Sequence, residues 1–184
     1  MTMTLSGIAG TAGGIFALTG LSILLKPDAV RRAVSAFPRH VWIGRVLMAF
    51  ALVWVTAIVL RAELGRFTFV KPYLYVLTPV AIGCVGWLLA ELLAPRALGG
   101  LLLLAANPVL STARWEDTPW RLAISVAAYL AVISGTFLVV GPHWFRRCFQ
   151  PALATARRSA GLGILLLAAG LFFLWLAMGP YHAP

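Results

Sequence analysis

The sequence predicts an all-α, polytopic membrane helix bundle, and three observations carry the prediction. Of 184 residues, 61% are hydrophobic and only 11% are charged, too little polar surface to cover a water-soluble globule of this size. A mean hydropathy of +0.94 over the whole length leaves no room for a sizeable soluble domain, so residues 1–184 read as one integral membrane domain. The apolar residues gather into runs of about 20, the length a helix needs to cross a hydrocarbon core of roughly 30 Å.

Five runs meet that length, at about 5–25, 41–60, 73–94, 120–140 and 159–179. Met1 to Ser6 carry no Lys or Arg, and no small-residue cleavage site leads into a soluble chain. The first run is therefore expected to stay as a membrane helix and not to be removed as a signal peptide. Between the third and fourth runs, residues 97–110 are apolar but cover only about two-thirds of the required span and close on Asn107-Pro108-Val109-Leu110. This segment either crosses, giving six transmembrane helices, or re-enters, giving five plus a re-entrant segment.

Charge decides between the two, because Lys and Arg collect in short cytoplasmic loops. With six crossings and the N-terminus outside, the inside loops hold Lys26, Arg31, Arg32, Arg39, Arg96, Arg146, Arg147, Arg157 and Arg158, with Arg45 just within the next helix. The outside loops hold Arg61, Arg66, Lys71, Arg114 and Arg121 together with Glu63, Glu116 and Asp117. Without a crossing at 97–110 the bias disappears. Six crossings with both termini outside is the preferred topology.

The chain also repeats. The segment from Thr19 to Arg32 returns 115 residues later from Ser134 to Arg147, aligning Gly20, Pro27, Arg31 and Arg32 with Gly135, Pro142, Arg146 and Arg147. A weaker copy surrounds Pro95, where the basic connector is missing. The repeat-like hairpins cover about 5–60, 73–111 and 120–179. Pro27 and Pro142 suit the first turn of a new helix, where no N–H partner is needed. Beyond them, Val30, Ala33, Val34 and Phe37 share one helical face against Arg31, Arg32 and Ser35, while Phe145, Cys148, Phe149 and Ala152 share one against Arg146 and Arg147. Both patterns predict amphipathic helices lying in the headgroup region, with Arg31, Arg32, Arg146 and Arg147 as interfacial lipid contacts. Trp42 and Trp144 near the inner boundary, and Trp115 and Trp120 near the outer, fit an aromatic belt.

Residues that could carry chemistry are few. Glu91 is the one acid within an apolar run, a functional hypothesis by default because an ionisable group at bilayer depth costs a few kcal/mol. It lies about one turn from Pro95, so an ion pair with Arg45 or Arg96 is favoured over a proton or cation site. Gly7, Gly10, Gly13 and Gly14 place Gly10-x-x-x-Gly14 and Ala9-x-x-x-Gly13 in the first run, spacings that let helix backbones approach closely within the bundle or against another subunit. Gly20, Gly135, Gly161, Gly163 and Gly170 are expected to act likewise. Thr78-Pro79 and Asn107-Pro108 are expected to kink or end helices. His40, His143 and His182 sit in loops or at the terminus without a second ligand at metal spacing, and no histidine lies inside a helix for haem. Cys84 and Cys148 do not form a disulfide framework. No nucleophile elbow, metalloprotease helix, P-loop or acid pair is present.

Taken together, Gly20, Pro27, Arg31, Arg32 and Gly44 in the first hairpin, with Gly135, Pro142, Arg146 and Arg147 in the last, resemble the small two-helix, YjeT-like family of bacterial inner-membrane proteins. The middle hairpin departs from the pattern. The resemblance implies a location in the bacterial inner membrane and implies no activity. Usage of 13 Arg against 2 Lys is compatible with a GC-rich bacterium.

The expected function is a non-catalytic accessory or scaffold subunit that packs against other membrane proteins; a homo-oligomer is compatible with this reading and with its alternatives. The alternative is a small transporter or channel using Glu91 and helix breaks near Pro79 and Pro108. An enzyme is the least supported class, since no catalytic group can be named. The net charge of +10 points to anionic lipid. Nucleic acid is not expected, because the basic residues are scattered between apolar runs with no groove to follow a phosphate backbone. No cofactor is expected.

Overall fold

Thr4 opens the first helix: its hydroxyl accepts a hydrogen bond from the Gly7 amide at 3.3 Å, occupying one of the unpaired donors of the first turn. The computed structural model describes residues 4–63, 65–88, 93–115 and 118–181. Helix α1 (Leu5–Leu25) runs until Lys26, and Pro27 begins α2 (Pro27–Ala36) at once, where a missing N–H costs nothing. A single 3₁₀ turn leads into α3 (Val41–Arg61), and a second 3₁₀ segment over Gly65–Val70 leads into α4 (Lys71–Leu88). The remainder comprises α5 (Leu93–Arg114), α6 (Arg121–Val140), α7 (His143–Ala152) and α8 (Ala156–Met178).

Among the described residues six helices are long and apolar enough to cross a membrane: α1, α3, α4 with the end of its 3₁₀ lead-in, α5, α6 and α8. The chain is a multi-pass membrane protein, and among the described residues every regular element is helical.

Residues 97–110 belong to a full-length helix. The helix outruns the apolar segment at both ends, reaching Arg96 in its first turn and Arg114 in its last, since arginine can extend an aliphatic stem through the interface to its charged head. Pro108 sits inside this helix. The apolar run 73–94 includes residues 89–92, which lie outside the described residues; its last two, Leu93 and Ala94, belong to α5, with Pro95 in the first turn. Pro142 likewise precedes α7, which starts at His143.

Antiparallel pairs build the bundle. Helix α1 packs along α8, α6 along α5, and α4 along α3. Helix α3 also meets the start of α5, which fastens the α3–α4 pair to the rest. A core of Leu5, Ala9, Ala113, Ile124, Phe173, Leu176 and Ala177 joins α1, α5, α6 and α8 at one end, and Met48, Leu93 and Ala97 join α3 to α5 at the other. Tyr181 closes the first of these ends by donating its hydroxyl to the Trp120 carbonyl at 2.6 Å. Helices α2 and α7 touch each other at the opposite end, where Phe37 of the 3₁₀ turn after α2 lies 5.2 Å from Phe145 of α7. The two basic connectors thus share one end of the molecule, as six crossings require.

Candidate functional site

Close-packed glycine seams join the helices of the bundle. Along α1 and α8, a Cβ placed on Gly13 would stand 2.9 Å from the Gly170 carbonyl oxygen, and one on Gly20 would stand 2.7 Å from that of Gly163. A Cβ on Gly170 would overlap the backbone of Ala17. Between α5 and α6, Gly99 and Gly135 face each other with equal intimacy. Gly44 of α3 meets the Ala94 backbone amide, where an added Cβ would be 2.8 Å away. These backbones approach more closely than any side chain permits, the arrangement that favours helix association in lipid.

Not all of the expected packing glycines take part. Gly13, Gly20, Gly135, Gly163 and Gly170 lie at seams, and Gly10 makes an ordinary contact with Ala177. Gly7 meets only its own Thr4 cap, while Gly14 and Gly161 face open space. The reason is angular: Gly7 and Gly14 are seven residues apart, nearly two full turns, and share a face of α1 turned away from α8. Of the two interleaved motifs, Ala9-x-x-x-Gly13 forms the seam, with Ala9 fully buried, and Gly10-x-x-x-Gly14 does not. Gly99 escaped the sequence reading. Its signal was the seven-residue spacing of Gly99, Ala106 and Ala113, all buried on one face of α5.

Polar groups within the spans are satisfied across α3 and α4. Arg45 donates from Nε to the Gly86 carbonyl at 3.2 Å, and its guanidinium sits 5.7 Å from the Trp42 ring centre. Glu91, its expected ion-pair partner, lies outside the described residues. Nearer the far end, the Thr56 and Thr78 hydroxyls are 2.7 Å apart, and Thr56 also donates to the Leu52 carbonyl. Pro79 stands inside α4 beside this bridge. Both candidate breaks, at Pro79 and Pro108, are therefore prolines within continuous helices.

The end carrying α2 and α7 is basic and amphipathic. Arg31, Arg32 and Arg147 are exposed, and Arg146 lies on the same helix as Arg147. Arg32 donates from Nε to the Asp28 carbonyl, one turn back. Between α2 and α7 a cavity of about 730 Å³ is lined by Asp28, Arg31, Arg32, Ser35, Phe149 and Gln150, among others. A second cavity of about 820 Å³ runs between α1, α5, α6, α7 and α8 and is almost wholly apolar. Phe149 lines both.

Trp42, Trp87 and Trp115 are exposed at helix ends, and Trp120 packs edge-on against Trp175. His40 and His143 are exposed, as are the free thiols of Cys84 and Cys148, and His182 lies outside the described residues. Among the described residues no three His, Cys, Asp or Glu side chains gather to hold a metal ion.

Comparison with protein-family models, curated proteins and solved structures finds no match to this chain. The geometry can do two things chemically: bring helix backbones into contact, and present paired arginines beside hydrocarbon at one end.

Proposed function

We propose that this chain is a non-catalytic accessory or scaffold subunit of a bacterial inner-membrane assembly, with both termini outside. The observation that carries the reading is that several glycines meet no helix of their own bundle. Gly14 on α1, Gly83 on α4, Gly100 on α5 and Gly161 on α8 have nothing near a virtual Cβ. A glycine inside a helix costs about 1 kcal/mol relative to alanine, and in lipid the compensation is close approach by another helix. Those faces are where partner helices dock. Helix α4 adds to the surface, for it packs along α3 while Tyr73, Tyr75, Val76, Leu77 and Val80 stay exposed.

The hairpin repeat belongs to the same reading, and three contacts support it. Gly20 of the first hairpin lies on Gly163 of the last, Gly135 of the last lies on Gly99 of the middle, and Gly86 of the middle lies on Met48 of the first. Met48 and Gly163 are 115 residues apart, the same offset that relates Gly20 to Gly135. Each hairpin's first helix rests on the second helix of its neighbour, closing a ring. The likeness to the YjeT-like family belongs to the outer two members of that ring.

Transport through Glu91 stands second. Its helix breaks are in-line prolines, and the Thr78 hydroxyl beside Pro79 is engaged by Thr56.

Photo-reactive residues placed at positions 14 and 161 in cells test the subunit reading. Cross-links to a different membrane protein are expected from both. Lipid adducts alone at both positions would overturn it.

A further inference from the structure

The two cavities at the basic end are complementary in chemistry and meet at one side chain. The first has a mixed lining, with Arg31, Arg32, Ser35 and Gln150 and the single carboxylate of Asp28 beside Val34, Phe149 and Leu153, and opens between α2 and α7. The second is hydrocarbon-lined, walled by Phe16, Leu102, Leu130, Phe145, Phe149 and Phe173, and follows α6 from Ala123 to Leu138. Those sixteen residues span about 22 Å, more than the roughly 15 Å depth of one leaflet's hydrocarbon. A full acyl chain fits within that length. Phe149 lines both spaces, so the two adjoin on either side of one side chain.

We infer that the basic end holds one anionic phospholipid, its phosphate beside Arg31 and Arg32 and one acyl chain in the groove between α1, α6 and α8. Charge complementarity selects the head. Two guanidiniums on adjacent residues at the rim offer several N–H donors to phosphate oxygens, and arginine suits this role through its planar fork. The amphipathic α7 caps the groove with Phe145 and Phe149, ring centres 4.8 Å apart, and keeps the head at interfacial depth. The bound lipid fills the space between α2 and α7 that the Phe37–Phe145 contact leaves open, and it is distinct from lipid that merely surrounds the bundle.

The test is native mass spectrometry of the detergent-purified, delipidated full chain, titrated with phosphatidylglycerol and with phosphatidylcholine of identical chains. One saturable phosphatidylglycerol adduct is expected, with phosphatidylcholine binding far more weakly. R31Q/R32Q should weaken the phosphatidylglycerol adduct by about five-fold per arginine, roughly thirty-fold for the pair. The control R157Q/R158Q removes two exposed arginines that line neither cavity and should leave saturation unchanged. Ala127→Phe, which fills the groove, should weaken binding of both lipids, and a circular-dichroism melt confirms that it folds. Equal binding of the two lipids by the unaltered protein would overturn the inference. So would equal losses in R31Q/R32Q and R157Q/R158Q, which would show that only net charge matters.

Discussion

Gly99 and Gly135 lie against each other so closely that a Cβ on Gly99 would stand 2.7 Å from the Gly135 carbonyl oxygen, and one on Gly135 would stand 2.8 Å from that of Gly99. Neither helix can retreat locally, because the same pair of helices also contributes Ala113 and Ile124 to the core at the far end. Gly135→Ala should therefore destabilise the protein by about 1–3 kcal/mol. Gly100→Ala, one residue from the seam and open to the outside, should be neutral or stabilising by up to about 1 kcal/mol. Unfolding in mixed detergent micelles measures both, and equal effects would show that the seam is not where we place it.

The Thr56–Thr78 bridge is the polar tie between α3 and α4 away from the basic end. A double-mutant cycle with Thr56→Val and Thr78→Val should return a coupling of about 0.6 kcal/mol, the usual size for hydroxyl pairs between helices in a membrane. A coupling of zero would mean that the two helices part at this level.

Arg45 is held by the Gly86 carbonyl. Charged hydrogen bonds of this kind contribute about 1.5–3 kcal/mol, so Arg45→Gln should loosen the α3–α4 pair by an amount near the lower figure, measured by unfolding. The loss should persist in a Glu91→Gln background. Disappearance of the effect there would show that the carboxylate, and not the carbonyl, is the functional partner of Arg45.

Topology has a direct chemical readout in an introduced thiol. Arg157 lies exposed in the first turn of α8, at the basic end, whereas Cys148 lines the apolar cavity and Cys84 lies in the body of α4. In a Cys84→Ser/Cys148→Ser background, a membrane-impermeant maleimide should label Arg157→Cys in inside-out vesicles and not in intact cells. Labelling in intact cells would reverse the orientation.

Much of the fold was legible because bilayer thickness is a strict ruler. The bounds of the first helix could be read from hydropathy alone, and Pro27 marked the start of the amphipathic helix that follows it. The helix α5 was harder. Its apolar stretch is short, and its true length depends on Arg96 and Arg114 lying within the helix at the two ends, where hydropathy counts them against a crossing. Packing was only half legible. Composition shows which residues are small, but the rotation of a helix about its axis decides whether Gly13 or Gly14 faces a neighbour, and that rotation is set by partners far away in sequence. Gly20 and Gly163 are 143 residues apart, and nothing local to either one names the other. The Thr56–Thr78 bridge and the cavity beside Phe149 were invisible for the same reason, since each is assembled from helices whose pairing the sequence does not declare.

Membership of a larger membrane assembly has its sharpest test in native mass spectrometry of the protein extracted gently from its own membrane. A stoichiometric complex containing at least one different membrane protein is expected. A lone chain, or an assembly made only of copies of this chain, would contradict it.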